Sequence, residues 1–119
     1  MENNFIISVI TVVYNAEEYI EKTIQSVINQ TLDNIEYIIV DGNSTDRTLS
    51  VVNQYSANIN KIISEPDNGL YDAMNKGMGL ATGKYILFLN AGDELAGQDV
   101  LKKAFERSKP DIIYSDTIV

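Results

Sequence analysis

Apolar residues along the chain fall into short runs separated by polar segments. The first run, from Phe5 to Val13, is rich in β-branched residues, a composition typical of a central strand. Continuous apolar runs of this length indicate strands that are buried on both faces of a parallel sheet. We therefore predict five strands, at Phe5–Val13, Ile35–Val40, Lys61–Ser64, Tyr85–Leu89 and, near the end of the chain, from Asp111 to Tyr114.

Between these runs the apolar residues recur with helical spacing. The segment 16–30 places its apolar residues on one face of a helix, at Ile20, Ile24, Val27 and Ile28. We predict Asn15 as the N-cap of this helix, with Glu18 completing a capping box. A second helix is predicted to begin at Asn43 or Ser44 and to present Leu49, Val52 and Tyr55 to the core.

Two more helices are predicted, at Leu70–Ala81 and at about Asp99–Arg107. The first of them contains Gly77 and Gly79, and each glycine costs about 1 kcal/mol relative to alanine in a helix interior. The presence of glycine despite this cost indicates either close helix packing or the close approach of a ligand at these positions. Gly83 is predicted to end this helix before the next strand.

The regular alternation of strand and helix predicts an α/β domain of three layers with a mainly parallel sheet. Loops that follow parallel strands lie at one edge of the sheet, where ligands of open α/β folds bind. We therefore expect four loops to converge there, at Tyr14–Asn15, Asp41–Ser44, Pro66–Gly69 and Asn90–Asp93.

Composition narrows the chemistry that these loops can perform. The chain contains neither cysteine nor histidine, which excludes disulfides, thiolate catalysis and histidine-bound zinc. Its 9 basic and 17 acidic residues give a net charge of −8, which argues against nucleic acid as a partner. The sequence shows neither a membrane span nor a signal peptide, so we expect a cytoplasmic protein.

Three groups at the strand ends are candidate binding residues. Asp41 could accept hydrogen bonds from a base or a sugar, although an Asp-Gly pair is also common in ordinary turns. Tyr14 could stack on a base or pack in the core, and its position in the sequence leaves both open. The acidic tail at Asn90–Asp93 could hold a hard cation such as Mg²⁺ beside a diphosphate.

Four blocks of the sequence, taken together and in order, resemble the family 2 glycosyltransferases, which are nucleotide-diphospho-sugar transferases with the Rossmann-like GT-A fold. The blocks are ISVITVVYNAEEYIEKTIQSVINQT, IEYIIVDGNSTDRT, DNGLYDAMNKGMGLATGKYILFLNAGDEL and DIIYSD. The resemblance runs from about Phe5 to Asp116. It implies a site for a nucleotide-sugar donor, usually a uridine diphosphate sugar.

The same resemblance implies roles for individual residues. Val12 and Tyr14 would line the base pocket, and Asp41 would bond to the base or ribose. The other implied nucleotide-binding residues are Asn15, Asp72, Asn75, Asn90 and Ala91. Within the D-x-D-D stretch of the family, this chain has asparagine at position 90 and glycine at position 92. The resemblance therefore leaves Asp93 as the ligand for Mg²⁺ or Mn²⁺.

Family members continue into an acceptor-binding half that supplies the general base. We therefore expect residues 1–119 to be the donor-binding part of an inverting transferase of surface polysaccharide synthesis, truncated before the acceptor half and inactive alone. The acceptor would be a saccharide or a lipid-linked sugar. Apolar surface left by the truncation would also allow self-association.

Two other classes of protein compete with this interpretation. A receiver-type signalling domain would have an acidic pair after the first strand, where this chain has Tyr14 and Asn15. A noncatalytic nucleotide-binding or scaffolding module is compatible with Asn90, Gly92 and the expected truncation. The sequence alone leaves this second alternative open.

Overall fold

The computed structural model describes residues 5–107 and 112–114, which form a five-stranded sheet with helices on both faces. The strands are β1 (Ile7–Val13), β2 (Ile35–Asp41), β3 (Lys61–Ser64), β4 (Tyr85–Phe88) and β5 (Ile112–Tyr114). The helices are α1 (Ile20–Ile28), α2 (Thr48–Gln54), α3 (Leu70–Leu80) and α4 (Val100–Arg107), with a 3₁₀ turn at Ser56–Asn58. All the predicted elements are present, and the predicted start of the last strand at Asp111 lies outside the described residues.

All the strand pairs are parallel, and the strands lie side by side in the order β3-β2-β1-β4-β5. The central strand β1 is buried along its whole length. The chain runs from β1 outward to β3 and then crosses back to β4 on the other side of β1. The order of the strands therefore reverses between β1 and β4, the place where open α/β sheets bind ligands.

Two apolar layers cover the sheet and confirm the predicted three-layer arrangement. One layer packs the apolar faces of α1 and α2, together with Leu101 of α4, against the sheet. The opposite layer packs α3 against Ile10, Ile38 and Phe88 through Ala73. No helix among the described residues is long and apolar enough to cross a membrane.

The two glycines inside α3 have different surroundings. A Cβ atom on Gly77 would lie 2.5 Å from Cγ2 of Ile10, whereas a Cβ atom on Gly79 would have no neighbour within 4 Å. Gly77 therefore allows α3 to pack closely on β1. Gly79 has no comparable packing role.

A buried ionic network ties the end of α3 to the sheet edge opposite the strand-end loops. The carboxylate of Glu36 accepts hydrogen bonds from Ser8 Oγ at 2.7 Å and from Thr82 N at 2.8 Å. It also pairs with Lys61 Nζ at 3.1 Å. That ammonium donates to the carbonyl oxygen of Leu80 at 2.6 Å. Strands β1, β2 and β3 thereby hold the last turn of α3.

The predicted helix caps are wrong. Helix α1 begins at Ile20, after Tyr19, and α2 begins after Arg47, in both cases without a side-chain cap. Asn15 and Ser44 instead form hydrogen bonds between the two loops, with partners about thirty residues away in the chain.

Gly83 does not end α3, which stops at Leu80. A Cβ atom at residue 83 would lie 2.7 Å from the backbone nitrogen of Ser8. The glycine at this position therefore allows the backbone before β4 to approach β1 closely.

Gly77→Ala and Gly79→Ala are expected to change stability in opposite directions. Overpacking against Ile10 should lower the free energy of unfolding by about 1–3 kcal/mol for Gly77→Ala. Gly79→Ala should raise it by about 0.5–1 kcal/mol, since alanine loses less entropy in the helix. Urea denaturation followed by circular dichroism measures both. Stabilisation by both substitutions would show that α3 does not need the small residue at 77.

Glu36→Gln is expected to destabilise the fold in a pH-dependent manner. Burial raises the pKa of the Glu36 carboxyl, but hydrogen bonds from Thr82, Ser8 and Lys61 outweigh it and hold that pKa below its usual value of 4.5. Loss of this carboxylate should cost about 1–3 kcal/mol at neutral pH. The difference from the unsubstituted protein should begin to shrink as the pH falls below 4.5 and vanish only below the lowered pKa. Urea denaturation at several pH values tests this, and a difference independent of pH would contradict it.

Candidate functional site

A cavity of about 390 Å³ opens where the strand order reverses, between the ends of β1 and β4. Its walls come from the end of β1, the turn before α3, the first turn of α3 and the residues after β4. The lining residues are Val12, Val13, Tyr14, Ala16, Asp67, Gly69, Leu70, Ala73, Asn90 and Ala91. Three of the four strand-end loops therefore meet at this cavity.

A second hollow of about 410 Å³ lies next to the first, over the end of β2. It is lined by Tyr14, Gly42, Asn43, Thr45, Pro66 and Asp67. Tyr14 and Asp67 line both spaces, so the two are adjacent. We refer to the two together as the strand-end groove. The convergence of all four predicted loops is confirmed.

Tyr14 lies on the surface of the groove. Its side chain is 61% exposed, which excludes the alternative of a core aromatic. Val12, which precedes it on β1, is buried and forms part of the groove wall. An exposed aromatic ring over an apolar wall offers a flat surface for stacking.

Asp41 is fully buried at the end of β2. Its carboxylate accepts hydrogen bonds from Ser44 Oγ at 2.5 Å, Ser44 N at 3.0 Å and Ser64 Oγ at 2.7 Å. It lines neither part of the groove. A direct bond from Asp41 to a nucleotide stays a prediction, and the structure shows this residue joining the loops after β2 and β3.

Asn15 takes part in a set of bonds between the loops after β1 and β2. Its backbone has a positive φ of 46°. Its side-chain Oδ1 accepts a hydrogen bond from Thr45 N at 2.8 Å, and its own N–H donates to Ser44 Oγ at 2.9 Å. The N–H of Ala16 donates to Thr48 Oγ1 at 2.8 Å. The β2–α2 loop and the first residue of α2 thereby position the part of the groove wall that Ala16 supplies.

The first two turns of α3 hold the two predicted residues Asp72 and Asn75 outside the groove lining. Asp72 Oδ2 accepts a hydrogen bond from Asn68 N at 2.9 Å and lies 3.6 Å from Lys76 Nζ. Asn75 is exposed. The carboxylate that does line the groove is that of Asp67, which accepts a hydrogen bond from Gly69 N at 3.1 Å.

The residues after β4 contribute Asn90 and Ala91 to the groove. Asn90 Oδ1 is buried and has no hydrogen-bond partner among the described residues. Thr23 Oγ1 accepts a bond from Gly92 N at 2.9 Å and donates to the carbonyl oxygen of Asp93 at 2.7 Å. Helix α1 therefore holds the tail of β4 in place beside the groove.

The tail of β4 offers limited ligation for a metal ion. Across residues 5–107 and 112–114, no three carboxylate side chains come together in a way that could hold an ion. Asn90 lines the groove, whereas Asp93, the predicted ligand, lines neither part of it. Mg²⁺ is commonly held by one or two carboxylates together with phosphate oxygens. The described residues therefore do not form a site for an ion alone, and Asp93 as the ligand of an ion that binds together with a diphosphate stays a prediction.

Sequence reasoning missed several residues of the groove, chiefly Asp67, Leu70 and Ala73. The sequence predicts the loop Pro66–Gly69 at the correct edge of the sheet but assigns no role to Asp67. The available signal was the position of Asp67 after the end of β3, equivalent to that of the acidic residues after β2 and β4.

A family model described as Glycosyl transferase family 2 matches residues 8–116. Among curated proteins, a PGL/p-HBAD biosynthesis glycosyltransferase of Mycobacterium bovis is 38% identical over 119 residues, covering 94% of this chain and 46% of the relative. An uncharacterized glycosyltransferase of Haemophilus influenzae is 44% identical over 96 residues, covering 78% of this chain and 30% of the relative. The chain thus spans at most about half the length of these relatives.

Solved structures are similar in fold. S. aureus TarS 1-349 in complex with UDP-GlcNAc has a TM-score of 0.78 and 29% identity, with 86% of this chain and 30% of that chain covered. The mannosyltransferase PcManGT from Pyrobaculum calidifontis, in complex with GDP-Man and Mn²⁺, also has a TM-score of 0.78, with 26% identity and coverage of 84% and 31%. The expected α/β fold of the GT-A type is confirmed by this likeness.

Thr48→Val should loosen the bonds between the loops after β1 and β2. It removes the acceptor of the Ala16 N–H, and we expect the free energy of unfolding to fall by about 1–3 kcal/mol. Thr45→Val is the matched control, because Thr45 is exposed and its backbone N–H still donates to Asn15. Its effect should stay within about 0.5 kcal/mol. Urea denaturation compares the two, and equal losses would contradict the assigned role of Thr48.

Proposed function

We propose that this chain, which belongs to glycosyl transferase family 2, binds the nucleoside diphosphate of a nucleotide-sugar donor in the strand-end groove. The observation that carries the proposal is a groove at the switch point of the sheet in which an exposed tyrosine lies beside apolar walls and two polar groups. Its more apolar part, of about 390 Å³, falls within the range of about 300–1,000 Å³ for small-molecule sites.

The groove offers a separate kind of contact to each part of such a ligand. The ring of Tyr14 would stack on the base, with Val12 and Ala73 forming the apolar wall behind it. The Asp67 carboxylate can accept hydrogen bonds from the nucleoside. The unpartnered Oδ1 of Asn90 can accept one from a hydroxyl group.

The diphosphate requires compensation for its charge, because the chain itself carries a net charge of −8. A neighbour in fold was solved with GDP-Man and Mn²⁺, which supports a divalent ion in the present protein as well. Asp93 would hold this ion. The ion would neutralise the negative charge that develops on the leaving diphosphate.

Transfer of the sugar to an acceptor hydroxyl with inversion forms the rest of the proposal. Inverting transfer needs a general base within reach of that hydroxyl. We propose that this base and the site for a saccharide or lipid-linked acceptor belong to a part of the protein beyond residues 1–119. A role in surface polysaccharide synthesis rests on the family resemblance, and a cytoplasmic location is proposed from the sequence. A noncatalytic nucleotide-binding module remains the second candidate, favoured by the few metal ligands after β4.

Tyr14→Ala should weaken the binding of UDP or GDP strongly. Loss of a base-aromatic contact costs about 1–3 kcal/mol. Tyr19→Ala is the control, since Tyr19 has a similar exposure of 58% but does not line the groove. Isothermal titration calorimetry with UDP and GDP, each with and without MnCl₂, measures the affinities, and we expect MnCl₂ to tighten binding.

Failure of both nucleotides to bind under either condition would refute the proposal. Equal losses for the two tyrosine variants would refute the assignment of the base to Tyr14. Binding by the longest available form of the protein, without transfer of sugar from any donor tested, would favour the noncatalytic module.

A further inference from the structure

The backbone of Gly42 and the carboxylate of Asp67 approach each other closely across two loops. A Cβ atom on Gly42 would lie 2.8 Å from Oδ2 and 3.4 Å from Cγ of Asp67. It would also lie 3.5 Å from Cδ1 of Tyr14. The φ of Gly42 is outside the left-handed region, so the backbone there does not itself require glycine. A side chain at 42 would instead require the Asp67 carboxylate to shift.

Neither side of this contact can move away without losing other bonds. Gly42 N donates to the carbonyl oxygen of Val13 at 2.9 Å, and the preceding residue is the buried Asp41 with its three hydrogen bonds. On the other side, Oδ1 of Asp67 accepts the N–H of Gly69 at 3.1 Å. The two loops are therefore held in the arrangement that brings the Asp67 carboxylate over the end of β2.

The remaining oxygen of this carboxylate, Oδ2, lies beside Gly42, and both Asp67 and Tyr14 line the groove there. In the part of the chain that the structure describes, it has no hydrogen-bond donor. An ionised carboxylate accepts hydrogen bonds and repels phosphate. The chemical group that suits this position is therefore an N–H or O–H donor on the nucleoside and not the diphosphate.

We infer that Gly42 and Asp67 act as a specificity-determining pair: the missing side chain at 42 admits the Asp67 carboxylate, which accepts a hydrogen bond from a donor group of the nucleoside. This inference rests on the proposed nucleotide-binding function. It assigns to Asp67 the direct contact that the sequence predicted for Asp41. Asp41 is then a positioning residue, since its carboxylate is buried and bonded to Ser44 and Ser64.

A double-mutant cycle with Gly42→Ala and Asp67→Ala tests the pair, with UDP as the ligand and calorimetry as the measurement. Each single substitution should weaken UDP binding about 10- to 150-fold, the loss expected for a hydrogen bond to a charged group. In the Asp67→Ala background, Gly42→Ala should change the affinity by less than about 2-fold, because the clashing carboxylate is gone. Gly79→Ala, at a glycine with open surroundings, is the control and should leave the affinity unchanged.

Two analogues identify the donor group. One is 3-methyl-UDP, which lacks the imide N–H, and the other is 2′-deoxy-UDP, which lacks a ribose hydroxyl. The analogue without the recognised group should bind the unsubstituted protein weakly and should be insensitive to Asp67→Asn. If GDP binds in place of UDP, 1-methyl-GDP and 2′-deoxy-GDP serve the same purpose. Urea denaturation of each variant confirms that it folds.

The outcomes separate this inference from the proposed function. Absence of nucleotide binding by the unsubstituted protein overturns both. Normal binding with additive effects of Gly42→Ala and Asp67→Ala, or with no effect of Asp67→Ala, overturns the pair and leaves the nucleotide-binding function standing. Equal sensitivity to Asp67→Asn of UDP, both analogues and 3′-deoxy-UDP, which lacks the other ribose hydroxyl, shows that no donor of the nucleoside is recognised and also overturns the pair.

Discussion

The carboxylate of Asp41 accepts its hydrogen bonds from Ser44 and Ser64 where no water reaches it. A buried charge is costly unless it is bonded, so the loops after β2 and β3 must keep their positions around it. Ser44 Oγ also accepts the N–H of Asn15, which brings the loop after β1 into the same set of bonds. Three of the loops that line the groove therefore behave as one unit, and the groove exists before any ligand binds.

Helix α3 supplies a wall of that groove, and its position is set at both of its ends. At the far end, Lys61 bonds to the carbonyl oxygen of Leu80 and to the buried carboxylate of Glu36. At the near end, Asp72 bonds to the N–H of Asn68, while Gly77 lets the middle of the helix lie against β1. A ligand that enters such a preformed site loses less free energy to ordering the protein.

Family membership and structure assign the polar contacts of the groove differently. The resemblance to family 2 implied that Asp41 bonds to the nucleotide, whereas the groove presents the carboxylate of Asp67. Asp67 reaches this position because residue 42 has no side chain and leaves room for its carboxylate. A role for Asp67 in place of Asp41 is the inference drawn above, and the bond from Asp41 to the nucleotide stays a prediction.

The sequence by itself determined the order and type of the elements, because runs such as Phe5–Val13 are apolar on both faces and so specify buried parallel strands. It also determined which loops meet, since parallel strands end at one edge. Tertiary structure alone decided that Asn15 and Ser44 join two loops instead of capping helices, because their partners are distant in the chain. Tertiary structure alone also distinguished Gly77, where a side chain would clash with Ile10, from Gly79, where a side chain would meet no neighbour. The position of the Asp67 carboxylate depended on tertiary structure for the same reason: it lies against Gly42, twenty-five residues earlier along the chain.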